Sequence, residues 1–390
     1  MVPKGWMLKQ LSDIVKEKIS YGIVQAGPHI PNGIPYIKSS DIRGAIDPAS
    51  LQRTAPEIHY KYRRSAVHPG DIIFSLRGNI GETAIVPSNL LEANLTQGTA
   101  RISVSGDQCN EFYHQQFAMD KLRNYINSLS KGSTFKEISL EELRKVKVLC
   151  APLPEQKKIA QILSTWDKAI TVTEKLLVNS QQQKKALMQQ LLTGKKRLLD
   201  ENGLRFSREW QKGSLSVFCN IVKGKALSAS ELVSGHYPVI AGGKSSPYSH
   251  FNYTHENVVT VSASGAYAGY VSYHKCKIWA SDCSVISAKE GNLIQYFYQL
   301  LLSMQDKIYS LQSGGAQPHI YPKDLDSISI LVPDVNEQQK IAAVLSAADA
   351  EITTLEKKLA CLKEEKKALM QQLLTGKRRV KVEVEDTVCA

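Results

Sequence analysis

Apolar residues recur every three and then four positions over two long stretches of the chain, the heptad signature of a helix that buries one narrow stripe against another helix. The first stripe reads Ile159, Leu163, Trp166, Ile170, Leu177, Leu187, Leu191, and the second reads Ile341, Leu345, Ala348, Ile352, Leu359, Leu369, Leu373, with Leu355 and Leu362 added in the same phase. Lys184 and Lys366 interrupt the two stripes at the same place. Pro154 before Glu155, Asn336 before Glu337, and Gly194 or Gly376 after each stripe are start and stop signals, so each helix is predicted to run about forty residues, roughly 55 to 60 Å. Two such helices within one chain can pair antiparallel, which relates the segments before them by an approximate twofold axis.

The stripes are copies of one another. KKALMQQLLTGK stands at Lys184 to Lys195 and again at Lys366 to Lys377. At the same offset (366 − 184 = 182), Glu155, Gln156, Asp167 and Ile170 meet Glu337, Gln338, Asp349 and Ile352 without a gap. The offset extends back to Leu129, Gly132, Ile138, Leu143, Val146 and Val148, which meet Leu311, Gly314, Ile320, Leu325, Ile328 and Ile330. Trp6 with Leu11 is echoed by Trp210 with Leu215. Between these anchors the halves diverge, which suggests one scaffold role and two different recognition roles.

In the variable parts, short strands are predicted at Ile34 to Ile42, Asp71 to Leu76, Thr83 to Val86 and Ala100 to Val104, and at Tyr237 to Ala241, Asn257 to Ser262, Tyr267 to Tyr273 and Cys283 to Ala288. Helices are predicted at Cys109 to Leu129 and Leu293 to Leu311, each followed by a small-residue loop, SKGST or SGGAQ. Glycine and serine in such loops let the backbone approach a phosphate closely, although a plain turn has the same composition. The class is therefore α+β: two mixed α/β domains joined by two long antiparallel helices that form a coiled coil, with internal pseudo-twofold symmetry.

Length and charge sharpen this picture. A chain of 390 residues suits two to three domains. A formal charge of +12 favours an anionic partner such as nucleic acid. The 7 cysteines form no CxxC pair, and no apolar run is long enough to span a bilayer, so a reducing cytoplasm and no membrane are expected.

Taken together, LPEQKKIA at Leu153 to Ala160, its partner NEQQKIA at Asn336 to Ala342, the LLTGK ends and GDIIFSLRGNIGETAIV at Gly70 to Val86 resemble the specificity subunits of type I restriction-modification systems. The resemblance covers nearly the whole chain. It implies target-recognition domains over residues 1–151 and 199–334, spacer helices over 152–198 and 335–380, and a disordered tail over 381–390. It further implies that each recognition domain reads one half of a bipartite, asymmetric site in double-stranded DNA, while the helices fix the spacing and dock two methyltransferase subunits, with two restriction subunits where a nuclease is present. S-adenosylmethionine would then sit on the methyltransferase, ATP and magnesium on the nuclease, and no cofactor on this chain.

The residues agree that catalysis lies elsewhere. The chain has no FxGxG-type cofactor loop and no NPPY-like tetrapeptide, Gly194-Lys195-Lys196 lacks the features of a phosphate loop, and the carboxylate spacing after Pro333-Asp334 is wrong for a nuclease. His274, Cys276, Asp282 and Cys283 have no second ligand pair, so no metal is expected. Side chains able to meet DNA are Lys38, Ser39, Arg43, Arg77, Asn79, Lys131, Ser133 and Thr134 in the first half. In the second half they are Lys244, Ser245, Tyr248, Ser264, Tyr267, Gln312, Ser313 and Gln317. Arg and Lys suit guanine edges and Asn and Gln suit adenine, although each is also an ordinary polar loop residue. The basic triples at Lys195 to Arg197 and Lys377 to Arg379 are read as solvated helix C-termini rather than phosphate ligands. The competing class is a basic coiled-coil scaffold that bridges proteins without reading DNA.

Overall fold

The computed structural model describes residues 2–132, 136–228, 230–243, 247–315 and 317–382. The tail beyond residue 382 lies outside them. The chain divides into two compact units, Met1–Thr173 with Lys358–Ala390, and Glu174–Lys357. Each unit draws on both long helices, α1 (Leu153–Leu191) and α2 (Val335–Leu373), of 39 residues each. At 1.5 Å per residue each spans about 58 Å.

Among the described residues the first unit holds three sheets. Met7–Gln10 pairs antiparallel with Lys147–Cys150. Four strands lie in the order Ser20–Tyr21, Thr99–Ile102, Ile72–Ser75 and Thr83–Ile85, all neighbours antiparallel. A smaller sheet places Ile34–Ile37 between Arg53–Thr54, antiparallel, and Asn94–Leu95, parallel. The second unit repeats this plan. Gln211–Ser214 pairs with Ser329–Val332, and Cys219–Lys223, Cys283–Ala288, Val258–Ser262 and Val271–His274 form the four-stranded sheet. Tyr237–Ile240 lies between Ser249–His250 and Trp279–Ala280 with the same mixture of directions.

The strand Cys283–Ala288 has the expected bounds, whereas others, such as Ile34–Ile37 and Ile72–Ser75, are shorter than the apolar runs suggest. Tyr267 falls in a short 3₁₀ turn, Gly265–Tyr267, before the strand Val271–His274 begins. Both predicted helices are broken. The first divides into Asn110–Phe117 and Asp120–Ser128, where Met119 is extended (φ −69°, ψ 130°), and the second into Ile294–Ser303 and Gln305–Tyr309 at Met304.

In each unit one core joins the four-stranded sheet, its short helices and the ends of the apolar stripes. In the first, Leu11, Phe74, Phe112, Phe117 and Ile138 pack in one cluster with Ile159, Leu163 and Leu373. In the second, Leu215, Val259, Phe297 and Ile320 cluster with Leu191, Ile341 and Leu345. Away from those ends the stripes are only half-buried, at Trp166, Ile170, Leu177, Leu187, Ala348, Ile352, Leu359 and Leu369.

The two helices run antiparallel within each unit, and polar groups set their register. Lys366 Nζ lies 2.6 Å from Asp167 Oδ1 in the first unit, and Lys184 Nζ lies 2.6 Å from Asp349 Oδ1 in the second. The other oxygen of each aspartate accepts a 2.7 Å hydrogen bond from a glutamine of the globular part, Gln115 to Asp167 and Gln299 to Asp349. Each aspartate therefore ties helix pair and globular part together at one point.

The third residue of each basic triple is not free in solvent. Arg379 Nε and Nη2 donate to the Glu155 carboxylate at 2.6 and 2.8 Å, and the Trp6 indole N–H donates to it at 3.0 Å. Arg197 Nε and Nη2 each donate to Glu337 at 2.6 Å, and Trp210 adds its N–H at 3.0 Å. Each arginine also lies over its tryptophan ring, 6.0 Å from the centroid for Arg379 and 5.6 Å for Arg197. The arrangement follows from helix ends: a glutamate in the first turn of one helix completes the bonds of an arginine just past the end of the other. Burial pushes the Glu155 carboxyl up, but the hydrogen bonds from Arg379 and Trp6 outweigh it and hold the group below the ordinary carboxylate range.

Candidate nucleic-acid interface

In both units one end of the four-stranded sheet carries three loops on a common backbone frame. In the first unit the strand Ile72–Ser75 opens into Leu76 to Gly81, closed by Gly81 N–H donating to Ser75 O at 3.2 Å. In the second, Val258–Ser262 opens into Ala263 to Gly269, closed by Gly269 N–H donating to Ser262 O at 2.7 Å. Gly81 and Gly269 have nearly the same positive φ, 85° and 87°, which favours glycine at the turn. A Cβ on Gly269 would sit 2.8 Å from Ile320 Cδ1.

The small-residue loop folds back beside this turn. Ile138 N–H donates to Leu76 O at 3.1 Å, and Ile320 N–H donates to Ala263 O at 2.9 Å. Across the base of that loop, Lys131 and Glu137 exchange backbone bonds of 2.9 and 3.0 Å, as Ser313 and His319 do at 3.0 and 2.8 Å. The third loop meets the turn from the neighbouring strand: Leu76 N–H donates to Gly98 O at 2.9 Å, and Ala263 N–H to Asp282 O at 3.1 Å.

The side chains on this frame differ. In the first unit Arg77 Nε lies 2.9 Å from Glu137 Oε2, beside the exposed Lys131. In the second, the corresponding places hold Ser264, whose hydroxyl donates to Asp282 Oδ2, and His319, whose ring stacks on Tyr321 with centroids 6.1 Å apart. Gly98 in one unit thus answers to Asp282 in the other. A cation held by a carboxylate is replaced by a carboxylate held by a hydroxyl.

The remaining candidates are placed unevenly. Ser39 reaches the Gly98 turn, its Oγ 3.9 Å from where a Gly98 Cβ would stand, while Lys38 donates its backbone N–H to Asp41 and Arg43 is exposed beyond it. Asn79 is engaged within its own turn, donating to Glu82 at 3.2 Å. Gln312 turns back to Ala268 O at 2.7 Å, and Ser313 Oγ donates to His319 O at 3.4 Å, so both brace the loop. Gln317, Tyr248 and Tyr267 are exposed. Ser133, Thr134, Lys244 and Ser245 lie outside the described residues. Glu137, His319 and Gly98 were not singled out from sequence, although Glu137 and His319 are a mismatch at offset 182 lodged between the matched pairs Gly132/Gly314 and Ile138/Ile320.

The residues that suggested a metal are occupied otherwise. His274 Nε2 and Thr260 Oγ1 are 2.8 Å apart, burial lowers the His274 pKa, and burial pushes the Cys283 thiol up to about 12, away from the thiolate a metal needs. Among the described residues no group of His, Cys, Asp and Glu is arranged to hold a metal ion, and no helix is long and apolar enough to cross a membrane.

The model of the type I restriction modification DNA specificity domain matches residues 3–179 and 207–364. The chain belongs to this family. It is 23% identical to the type I restriction enzyme MjaVIII specificity subunit of Methanocaldococcus jannaschii, over 97% of this chain and 94% of that protein. It is 28% identical to the EcoBI specificity subunit of Escherichia coli over 165 residues, 41% of this chain and 35% of that one. In fold it is similar to the crystal structure of a type I restriction-modification S subunit from M. genitalium, with a TM-score of 0.70 at 17% identity, covering 96% of this chain and 99% of that one. As a member of the specificity-subunit family, the chain carries its duplicated domain once in each matched segment.

Proposed function

We propose that this chain is the DNA-reading subunit of a type I restriction-modification complex, each unit reading one half of a bipartite, asymmetric site through its three-loop end. The observation that carries this reading is the internal comparison: one backbone frame is kept in both units while the side chains on it change, Arg77 to Ser264, Glu137 to His319 and Gly98 to Asp282. A scaffold that only bridged proteins would have no reason to preserve the backbone of the loops and exchange the side chains on it. A reader of two different half-sites needs that combination, because the duplex backbone is the same in both halves and the base edges are not.

The long helices set the separation of the half-sites and dock two methyltransferase subunits, one on each copy of the repeated surface. The chain performs no catalysis itself. S-adenosylmethionine belongs to the methyltransferase, and ATP and magnesium to a nuclease subunit where one is present. The complex works in the cytoplasm.

Methylome sequencing of cells expressing the chain with its partner methyltransferase tests this. Exchanging residues 1–150 for those of a relative should change one half of the methylated motif and leave the other intact. A motif in which both halves change together would refute the division of labour, and methylation without sequence preference would refute DNA reading altogether.

A further inference from the structure

We infer that Arg77 reads a guanine in the half-site of the first unit through its two terminal amines, and that Glu137 is the positioning residue that aims it; the inference rests on the DNA-reading function proposed above. Arg77 stands near the start of the Leu76 to Gly81 loop, bridged antiparallel to Glu137, with its side chain 45% exposed. The loop is held from three sides: Leu76 by the Gly98 carbonyl and the Ile138 amide, and the Arg77 carbonyl by Ser75 Oγ at 2.9 Å. Gly78, with φ of 73°, turns the chain directly after it. The backbone that carries the guanidinium is therefore fixed before any ligand arrives, which spares ordering entropy on binding.

The side chain is aimed as well. Its Nε is 2.9 Å from Glu137 Oε2, and among the described residues its Nη atoms have no hydrogen-bond partner. The ion pair with Glu137 lies on the Nε side of the guanidinium and leaves Nη1 and Nη2 along the other edge, a pair of donors that matches O6 and N7 of guanine. The same pair would also match two oxygens of a phosphate. Two observations favour the base. The Glu137 carboxylate beside the guanidinium offsets its charge and repels a phosphate, whereas a base edge is neutral. A phosphate contact would also be a property of the frame, required equally in both units, yet among the described residues the places of Arg77 and Glu137 are taken in the second unit by Ser264 and His319, with Asp282 in the place of Gly98.

The test uses the assembled complex of this chain with its partner methyltransferase, and duplexes carrying the wild-type methylated motif with each first-half guanine replaced in turn by 7-deazaguanine, which lacks N7. The wild-type complex should lose roughly tenfold in affinity at one such position. Arg77→Ala and Arg77→Lys should lose about as much on the unmodified duplex and nothing further at that position. Glu137→Ala should make the complex insensitive to the same substitution. The methylome of Arg77→Ala should show one guanine relaxed in one half and the other half unchanged.

An arginine that weakens binding to every duplex alike, with a salt slope shallower by about one, is a phosphate ligand and overturns the proposal. So does a first half-site without guanine, or a wild-type complex indifferent to deazaguanine throughout that half; both leave the DNA-reading function standing. The wild-type measurement decides even if a variant fails to assemble. Loss of sequence preference by the wild-type complex would instead remove the function on which the inference rests.

Discussion

Removing Arg197 should cost more stability than removing Arg379, although the two occupy equivalent places. Glu337 is wholly buried and Arg197 is 19% exposed, whereas Glu155 is 5% exposed and Arg379 46%. Arg197→Ala strips two charge-assisted hydrogen bonds from a carboxylate that water does not reach, leaving it the Trp210 indole at 3.0 Å. Breaking a buried pair from one side costs about 3 to 5 kcal/mol, a large share of a typical domain's stability. Half the Arg379 side chain is in water, which screens the pair and can solvate what remains, so Arg379→Ala should cost about 1 to 2 kcal/mol.

For a unit of this size each kcal/mol moves the melting temperature by roughly 2 to 4 °C. Arg197→Ala should therefore lower it by roughly 6 to 20 °C and Arg379→Ala by at most about 8 °C. Calorimetry on the purified chain reads both. The double variant Arg197→Ala with Glu337→Gln should recover much of the loss, because it removes the stranded charge and keeps an acceptor for the indole. Equal losses for the two arginines, or a double variant no better than Arg197→Ala, would refute the argument from burial.

Asp349→Ala should destabilise more than Lys184→Met in urea unfolding, since it leaves Lys184, 9% exposed, and Gln299 without their shared partner. Gly314→Ala should impair binding to the second half-site and leave the melting temperature nearly unchanged: Gly314 has φ of 93° and an added Cβ would meet Gln317 O at 2.8 Å, in an exposed loop. Titration below the ordinary carboxylate range should weaken the first unit in the wild type more than in Arg379→Ala, measured by melting against pH. The Glu155 carboxyl is held low in the folded state, so its contribution is full above its unfolded value of 4.5 and is lost as pH falls through the lower folded value. Inserting one heptad after Ser180 should keep the stripe in phase and lengthen the spacer of the methylated motif by about three base pairs, roughly 10 Å of helix.

Much of the frame could be read from the chain because it was written twice. A heptad stripe is local information, and so are the glycines that stop it. The repeat of Trp6 and Leu11 as Trp210 and Leu215 marked positions whose partners, Glu155 and Glu337, lie more than a hundred residues away. What the stripe could not convey is how unevenly it is buried. A two-helix seam leaves its flanks to water, and only where Ile159, Leu163, Leu191, Ile341, Leu345 and Leu373 also enter a globular core are they fully covered. Lys195, Lys196, Lys377 and Arg378 are exposed as expected, but Arg197 and Arg379 depart from that reading for a related reason: a helix C-terminus favours a cation by itself, and nothing local announces that a buried glutamate waits at the start of another helix.

The loops at the end of each four-stranded sheet are legible in the sequence as loops, through their glycines and serines, but not as a constellation. Loop pairing depends on long-range backbone bonds such as Ile138 to Leu76 and Ile320 to Ala263, and those leave no periodic trace. Candidates chosen by residue type alone therefore mixed side chains that face solvent, such as Arg77, with others, such as Gln312, that fold back to brace the backbone. The internal copy supplies the missing criterion. Where the two units agree, as at Gly132 and Gly314, the residue serves the frame. Where they disagree between agreeing neighbours, as at Glu137 and His319, the frame is already satisfied and the side chain is free to serve recognition. On the DNA-reading function proposed above, that criterion puts specificity where Arg77 and Glu137 give way to Ser264 and His319, with Asp282 in the place of Gly98.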